Sequence, residues 1–450
     1  FSLAIFFQLI FNSRFVNKVN FNYPIIYKET FYQILVVFIC LVFIYFNLKI
    51  EGFFSNFLFV NDSGSCVLKI SLIFFCILAL FFIGRSFSLQ HINFFEYFSV
   101  FLLSLLGLLL LINASDILSA YLIIEMQALC FYILASFKRN SSFSTEAGLK
   151  YFISGSFISG IFLLGASLIY GCLGTLNFNL LNWLLSFDFS PEFLFLKMLV
   201  ITGILLITFT LFFKVAAAPF HFWSPDVYEG APLASTIIFS IIPKVSLFIF
   251  FIRWIFAIST FFLDIKVLFI LIAILSVFFG TFFALRQKRV KRLIIYSSIA
   301  QVGFLIAPFY TLTVDGFSYL IFFLFIYLIT SILVWGNLVS FYNSFSYFKT
   351  FSSKVSHTFF ISSLSGLHKV NKLAALSFII IFFSISGIPP LSGFLAKIFI
   401  FFNLLDFKNF LGAFFLIMLN MVSVYYYIRI IKVVFFEVKG INKENLEFQM

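Results

Sequence analysis

Charged residues are scarce in this chain. Asp, Glu, Lys and Arg make up only 10% of its 450 residues, whereas 63% of the residues are hydrophobic. A soluble domain is closer to half apolar and a quarter charged. The chain therefore lacks the polar surface that a water-exposed fold needs, and lipid must cover most of it. Because a chain in lipid has to satisfy its backbone hydrogen bonds internally, the composition predicts an all-α protein that crosses the membrane many times.

Cysteines and nucleotide-binding motifs are also few. The five cysteines show no CxxC pair and no regular spacing, and all lie in or near apolar segments: Cys40, Cys66, Cys76, Cys130 and Cys172. Cysteine behaves as a small hydrophobe in such places, which argues against iron–sulfur, haem and zinc sites. No P-loop and no G-x-G-x-x-G run after a strand is present. We therefore expect no metal or cofactor site in this chain.

The basic residues give a formal net charge of +12, which could suggest a nucleic-acid partner. They do not cluster in one domain or tail, but lie in the short gaps between apolar runs. Such a distribution is typical of a membrane-topology signal. We therefore expect no nucleic-acid partner.

Apolar runs of about 20 residues are long enough to cross a bilayer as helices. On this criterion the sequence contains thirteen candidate spans, at residues 2–13, 30–48, 67–84, 94–113, 117–137, 147–171, 193–223, 232–254, 264–285, 292–309, 317–343, 373–403 and 410–433. Most basic residues follow odd-numbered spans, which predicts that these gaps and the C-terminus share the positive face of the membrane. The gap at 224–231 is an exception, with Asp226 and Glu229 but no base.

Four ionisable side chains lie inside otherwise apolar spans: Glu125, Lys214, Lys244 and Lys397. A charge at the bilayer centre costs about 2.5–3.5 kcal/mol on insertion scales, so such residues usually belong to an ion pathway. Lys214 and Lys397 could instead extend to the membrane interface from a helix end. Lys244 is too central for this, since about ten apolar residues, or roughly 15 Å of helix, separate it from each end of its span.

Prolines accompany the three lysines. Pro219 and the pair Pro389–Pro390 should interrupt spans 193–223 and 373–403, which predicts two broken helices. Broken backbone in lipid is tolerated only inside protein or beside a hydrated cavity. We expect Pro243 to open a further gap in the hydrogen bonding beside Lys244.

Glu125 and His221 have alternative interpretations. Glu125 is expected to pair with one of the lysines, because a nearby ammonium keeps a buried carboxylate charged. The alternative is a protonated Glu125 that makes one interhelical hydrogen bond. His221 could extend a chain of water molecules or could simply be a packing group, and the sequence favours neither.

The order of the spans suggests an internal repeat. Spans four to eight and spans nine to thirteen each place a long broken helix fourth. Units of five helices have opposite orientations in the membrane, which is the inverted-repeat plan of many transporters. The predicted organisation is 1–93 for the N-terminal helices, 94–256 and 257–436 for two five-helix repeats, and 437–450 for a polar tail.

Several stretches resemble the antiporter-like subunits of respiratory complex I, the family of subunit 2 of mitochondrial NADH dehydrogenase. They occur in the family's order and are Ile124–Tyr132, Ser144–Tyr151, Phe213–Gly230, Lys291–Ile299 and Gly387–Phe394. The resemblance implies a proton-translocating membrane-arm subunit of NADH:ubiquinone oxidoreductase. In that family, the carboxylate of the fifth helix pairs with the lysine of the broken seventh helix.

By that resemblance Glu125 pairs with Lys214, Lys244 relays the proton and Lys397 serves the exit side. NADH, FMN, iron–sulfur clusters and ubiquinone are expected in other subunits, with no redox chemistry in this chain. The expected partners are other complex I subunits, especially antiporter-like ones, and lipids such as cardiolipin. The expected location is the mitochondrial inner membrane, with the C-terminus in the matrix. The alternatives are a stand-alone cation/proton antiporter subunit and a structural membrane spacer.

Overall fold

The structure is a computed structural model that describes residues 36–39, 44, 52–54, 58–90, 95–186, 194–347 and 360–437. The predicted spans 2–13 and 30–48 lie outside these residues, apart from 36–39 and 44, and so does the tail after residue 437. The chain divides into two compact units, Phe1–Ile272 and Ala273–Met450.

Between residues 52 and 257, the described residues of the first unit form a small hairpin and eight α-helices. Strands β1 (Gly52–Phe54) and β2 (Phe59–Asn61) pair antiparallel. The helices are α1 (Ser63–Gln90), α2 (Phe95–Asn113), α3 (Ile117–Ala135), α4 (Ser142–Leu173), α5 (Phe178–Leu185), α6 (Leu194–Val215), α7 (Trp223–Gly230) and α8 (Leu233–Ala257). Helix α8 packs against α1, α2 and α6, and α4 packs against both α3 and α6.

Helix α9 (Phe262–Arg286) contains the boundary between the units. The second unit continues with α10 (Val290–Ile306), α11 (Val314–Tyr347), α12 (Leu367–Val370), α13 (Lys372–Ser386), α14 (Ser392–Asp406) and α15 (Phe410–Phe435). Short 3-10 turns lie at Ser259–Phe261, Ala307–Tyr310 and Ile361–Leu364. Helices α13, α14 and α15 pack against one another, and α11 packs against α13 and α14.

The described residues contain 10 helices that are long and apolar enough to cross a membrane. They confirm ten of the predicted spans. The predicted span 373–403 is divided into α13 and α14, of 15 residues each. The sequence did not predict the hairpin, α5 or α7, because three-residue strands and eight-residue helices are too short for a hydrophobic period to reveal.

Both breaks begin with the same backbone turn. Helix α6 is followed by Ala216 at φ 64°, and α13 is followed by Gly387 at φ 83°, both in the left-handed region. In each case the next amide donates to the carbonyl five positions back, Ala217 to Phe212 at 2.9 Å and Ile388 to Phe383 at 3.1 Å. This is the Schellman ending of a helix. A cis X-Pro bond follows in both breaks, Ala218–Pro219 and Pro389–Pro390.

Contacts between loops follow the alternation of the membrane faces within each unit. In the first unit, Asp116 and Asn177 form an isolated antiparallel β-bridge. The Lys150 ammonium, near the start of α4, lies 3.2 Å from the Asp226 carboxylate in α7. In the second unit, Arg289 and Phe360 form another isolated antiparallel β-bridge. Each contact joins two segments that the span count places on the same face. The gap at 224–231 has no basic residue of its own, and Lys150 places a positive charge beside its Asp226.

Candidate functional site

Glu125 lies in the middle of α3, and its side chain is partly buried. Its Oε1 atom is buried and has no hydrogen-bond partner among the described residues. The hydroxyls of Tyr121 and Tyr132 lie within range of its charge. The carboxylate therefore sits in a protein-lined environment where any nearby cation acts on it strongly.

Lys214 is the second-last residue of α6, directly before the first break. The indole N–H of Trp223 donates to the Phe213 carbonyl at 3.0 Å and so helps to fix the end of this helix. Glu125 lies within electrostatic range of Lys214. Among the described residues no N–O distance of 4.0 Å or less joins the two, so the predicted pair is within electrostatic range but not in direct contact.

Glycines set how closely α4 approaches its two neighbours. A Cβ at Gly155 would collide with the Tyr132 hydroxyl of α3. A Cβ at Gly165 would lie 2.9 Å from the Gly203 carbonyl of α6, and a Cβ at Gly203 would lie 2.9 Å from the Gly165 carbonyl. Small residues of this kind allow the backbones of membrane helices to touch. Helix α4 therefore packs closely against both the helix that carries Glu125 and the helix that carries Lys214.

Lys244 lies in the most enclosed helix of the first unit. In the apolar stretch of α8, 94% of the residues are buried, and Lys244 is only 4% exposed. A lysine in this position has no nearby helix end from which to reach water. The prediction that it is buried rather than interfacial is confirmed.

The expected opening beside Lys244 is closed by another residue. Helix α8 continues through Pro243, which cannot donate a hydrogen bond to the Phe239 carbonyl one turn earlier. The Tyr228 hydroxyl of α7 donates to that carbonyl instead, at 3.2 Å. The sequence analysis expected the gap in the backbone hydrogen bonding, but not that a side chain distant in sequence satisfies the carbonyl that proline leaves open.

His221 lies within the first break and is 1% exposed. Its ring interacts with the Pro219 backbone and stacks on Phe222 at 4.7 Å between centroids. Its own carbonyl accepts a hydrogen bond from the Ser224 hydroxyl at 3.0 Å. The packing role is thus visible, and membership of a water chain stays a prediction.

Lys397 lies in α14 after the second break and is 2% exposed. Its ammonium donates to the Ile385 carbonyl at 2.7 Å, the Ser386 carbonyl at 3.2 Å and Asn420 Oδ1 at 2.7 Å. The ring of Phe304 lies 5.0 Å away. The two carbonyls are at the end of α13, where a helix carries partial negative charge. The broken helix thus builds a cation site without a carboxylate contact.

Gly387 makes room for this site. A Cβ at position 387 would lie 3.1 Å from Lys397 Cδ and 3.8 Å from Asn420 Nδ2. The Gln301 amide adds a hydrogen bond to the Ile385 carbonyl at 3.3 Å. The second unit therefore surrounds its lysine with neutral polar groups.

Two residues of the site escaped the sequence analysis, Tyr228 and Asn420. Asn420 carried a usable signal, because an isolated amide in the middle of an apolar span is costly unless it is hydrogen-bonded. Tyr228 carried none, since its role depends on the position of Pro243 in another helix.

The arrangement can hold and release protons but shows no metal site. Among the described residues, no three His, Cys, Asp or Glu side chains are grouped to hold a metal ion. The four ionisable groups are one carboxylate and three amines, which are chemical groups able to take up and release a proton.

Known proteins are similar to this chain in sequence and in fold. The family model described as NADH:quinone oxidoreductase/Mrp antiporter, TM, matches residues 114–423. NADH-ubiquinone oxidoreductase chain 2 of Marchantia polymorpha is 39% identical over 78% of this chain and 69% of its own length. NADH-quinone oxidoreductase subunit N of Pelagibacter ubique is 35% identical over 84% of this chain and 77% of its own.

The fold is similar to that of a chain in the respiratory complex I of Thermus thermophilus. The TM-score is 0.74 at 25% identity, over 97% of this chain and 90% of that one. The resemblance noted in the sequence is thereby confirmed. The chain belongs to the NADH:quinone oxidoreductase/Mrp antiporter family, as an antiporter-like membrane subunit of the complex I type.

Proposed function

We propose that this chain translocates protons through the membrane arm of NADH:quinone oxidoreductase, with Glu125, Lys214, Lys244 and Lys397 as proton carriers. The observation that carries the proposal is the burial of Lys244, which is 4% exposed at the centre of a helix buried on nearly all sides. A structural role gains nothing from the cost of such a charge.

In the first unit, Glu125 controls the proton on Lys214. An opposite charge nearby favours the ammonium form of a lysine, and burial disfavours it. When the carboxylate is close, the proton stays on Lys214. When the separation grows, burial dominates and the proton can pass to Lys244. The separation beyond direct contact in this structure fits the releasing state.

In the second unit, Lys397 receives the proton and serves the exit side, an order taken from the resemblance. Its ammonium has three hydrogen-bond acceptors and no carboxylate contact. Helix dipole and carbonyls therefore hold the charge there, in place of an anion.

The finer architecture is part of the same proposal. Ten of the thirteen spans form two inverted five-helix repeats, 94–256 and 257–436, with one broken helix in each, and the first three spans precede them. Support comes from the two breaks, whose helices end in the same Schellman turn after Val215 and after Ser386. A repeated turn beside a lysine in each half is the pattern that duplication of one proton-conducting unit produces.

We further propose that the chain lies in the mitochondrial inner membrane with its C-terminus in the matrix. The support is the distribution of basic residues and the similarity to mitochondrial relatives. NADH, FMN, iron–sulfur clusters and ubiquinone then belong to other subunits, and the immediate neighbours are antiporter-like subunits and lipids such as cardiolipin. Redox chemistry elsewhere in the complex supplies the driving force.

Two other functions use the same sequence features. A stand-alone cation/proton antiporter subunit would share the broken helices, since the family model covers both classes. Copurification of this chain with an NADH-oxidising arm excludes that alternative. A structural spacer would keep the fold without proton transfer, and only a pumping measurement separates it from the proposed function.

The test is Lys244→Met in the whole complex, reconstituted in sealed vesicles. Proton uptake per NADH oxidised is compared with that of the parent complex. The matched control is Lys197→Met, because Lys197 lies in the first turn of α6, where a lysine can reach the interface. The proposal expects loss of pumping for Lys244→Met and normal pumping for Lys197→Met. Undiminished pumping by Lys244→Met, in a fully assembled complex, would refute it.

A further inference from the structure

Lys397 has a complete set of hydrogen bonds only when it is charged. An ammonium carries three N–H donors, and the structure supplies three acceptors: two backbone carbonyls, of Ile385 and Ser386, and Asn420 Oδ1. A neutral amine has two N–H donors and one lone pair. The two carbonyls can accept from both donors, but the lone pair would then face the Asn420 oxygen.

The carbonyls cannot adapt to this change, because they belong to the fixed end of α13. Asn420 can, since its side-chain amide offers an acceptor and a donor on one rotatable group. Its Nδ2 atom lies on the side of Gly387, where a Cβ would be 3.8 Å from it and where glycine leaves space. A half-turn of the amide would bring Nδ2–H towards the lone pair of the amine.

The surroundings leave this role to Asn420. The elements packed against α14 are α11, α13, α15 and the Ala307–Tyr310 turn, and α10 reaches it through Phe304. The titratable side chains described in these elements are tyrosines and, near the helix ends, charged residues: Lys291, Arg292, Tyr296, Tyr310, Asp315, Tyr319, Tyr327, Lys372, Tyr425, Tyr426, Tyr427, Arg429 and Lys432. Among the described residues, none of these side chains has an electrostatic interaction with Lys397.

We propose that Asn420 is the positioning residue that switches Lys397 between its two protonation states, by presenting Oδ1 to the ammonium and Nδ2–H to the neutral amine. The proposal rests on the proposed role of Lys397 in proton transfer. The released proton passes to water on the path. Asn420 Oδ1 also accepts a hydrogen bond from the Ser423 hydroxyl at 3.3 Å, and when the amide turns that hydroxyl keeps its hydrogen bond to the Asn420 carbonyl at 2.6 Å.

The predicted repeat points to the same residue. Lys244 occupies the middle of the fifth helix of the first repeat, and Asn420 occupies the middle of the fifth helix of the second. The second unit thus places a neutral switch where the first places a titratable group.

The test compares the pH profiles of proton pumping in the whole complex carrying Asn420→Asp or Asn420→Leu. The carboxylate of Asn420→Asp can only accept and attracts the ammonium, so Lys397 retains its proton to higher pH. The profile should move to higher pH by about one unit. Leucine removes one acceptor from the ammonium, so the profile of Asn420→Leu should move to lower pH. A purely structural role would lower both activities without opposite shifts.

NADH oxidation with an artificial electron acceptor controls for assembly, and Lys397→Met is measured in parallel. If Lys397→Met pumps normally, the proposed role of Lys397 fails. If Lys397→Met stops pumping while both Asn420 profiles coincide with that of the parent, only the role of Asn420 is overturned. Opposite shifts in the two Asn420 variants support it.

Discussion

At the scale of single residues, the membrane interior makes each polar group depend on a named partner. Lys397 is held by carbonyls that a broken helix exposes. The carbonyl that Pro243 leaves open is held by Tyr228. In both places proline removes a backbone donor and a side chain from another helix replaces it.

Replacing Tyr228 by Phe tests this account beside Lys244. The variant leaves the Phe239 carbonyl without its donor, and we expect a loss of about 1 kcal/mol of stability. Thermal inactivation of the assembled complex measures the loss. In a Pro243→Ala background position 243 regains its amide donor, so Tyr228→Phe should cost clearly less there. An equal cost in both backgrounds would show that the hydroxyl does not serve this carbonyl.

At the scale of helices, glycines determine how closely the helices around the site can pack. Gly165 and Gly203 allow α4 and α6 to touch through their backbones, and Gly155 admits Tyr132 of α3. Because α4 contacts both helices, its position affects the separation of Glu125 from Lys214. Changes at these glycines should therefore alter stability and proton transfer together.

Gly165→Ala should destabilise the complex by about 1–3 kcal/mol, since the added methyl group overpacks the crossing. The matched control is Gly160→Ala in the same helix, where a Cβ meets nothing within 4 Å. Thermal inactivation should separate the two variants. Equal stability of both would contradict the close crossing of α4 and α6.

The long apolar helices and their breaks could be predicted from the sequence, whereas the short helices and the hydrogen bonds between distant segments could not. Apolar length and prolines located the spans and the interruptions near Pro219 and Pro389–Pro390. The buried position of Lys244 followed from its distance to either end of the span. The carbonyl site of Lys397 and the role of Tyr228 depend on contacts between segments far apart in sequence, which no local pattern contains.

At the scale of the whole molecule, topology fixes which face each loop occupies. The span count places Asn140 on the positive face, between α3 and α4, and Asn179 on the opposite face, in α5. Both side chains are exposed. In sealed vesicles, a membrane-impermeant thiol reagent should label Asn140→Cys and Asn179→Cys from opposite sides. Labelling of both from one side would show that the count is wrong between them.

In the proposed mechanism, Lys244 releases a proton in each pumping cycle and does more than supply a positive charge. Arginine keeps the charge but does not deprotonate in proteins. The ratio of protons moved to NADH oxidised should therefore be measured for Lys244→Arg in the reconstituted complex. We expect this ratio to fall as it does for Lys244→Met. A ratio equal to that of the parent complex would contradict proton transfer through this residue.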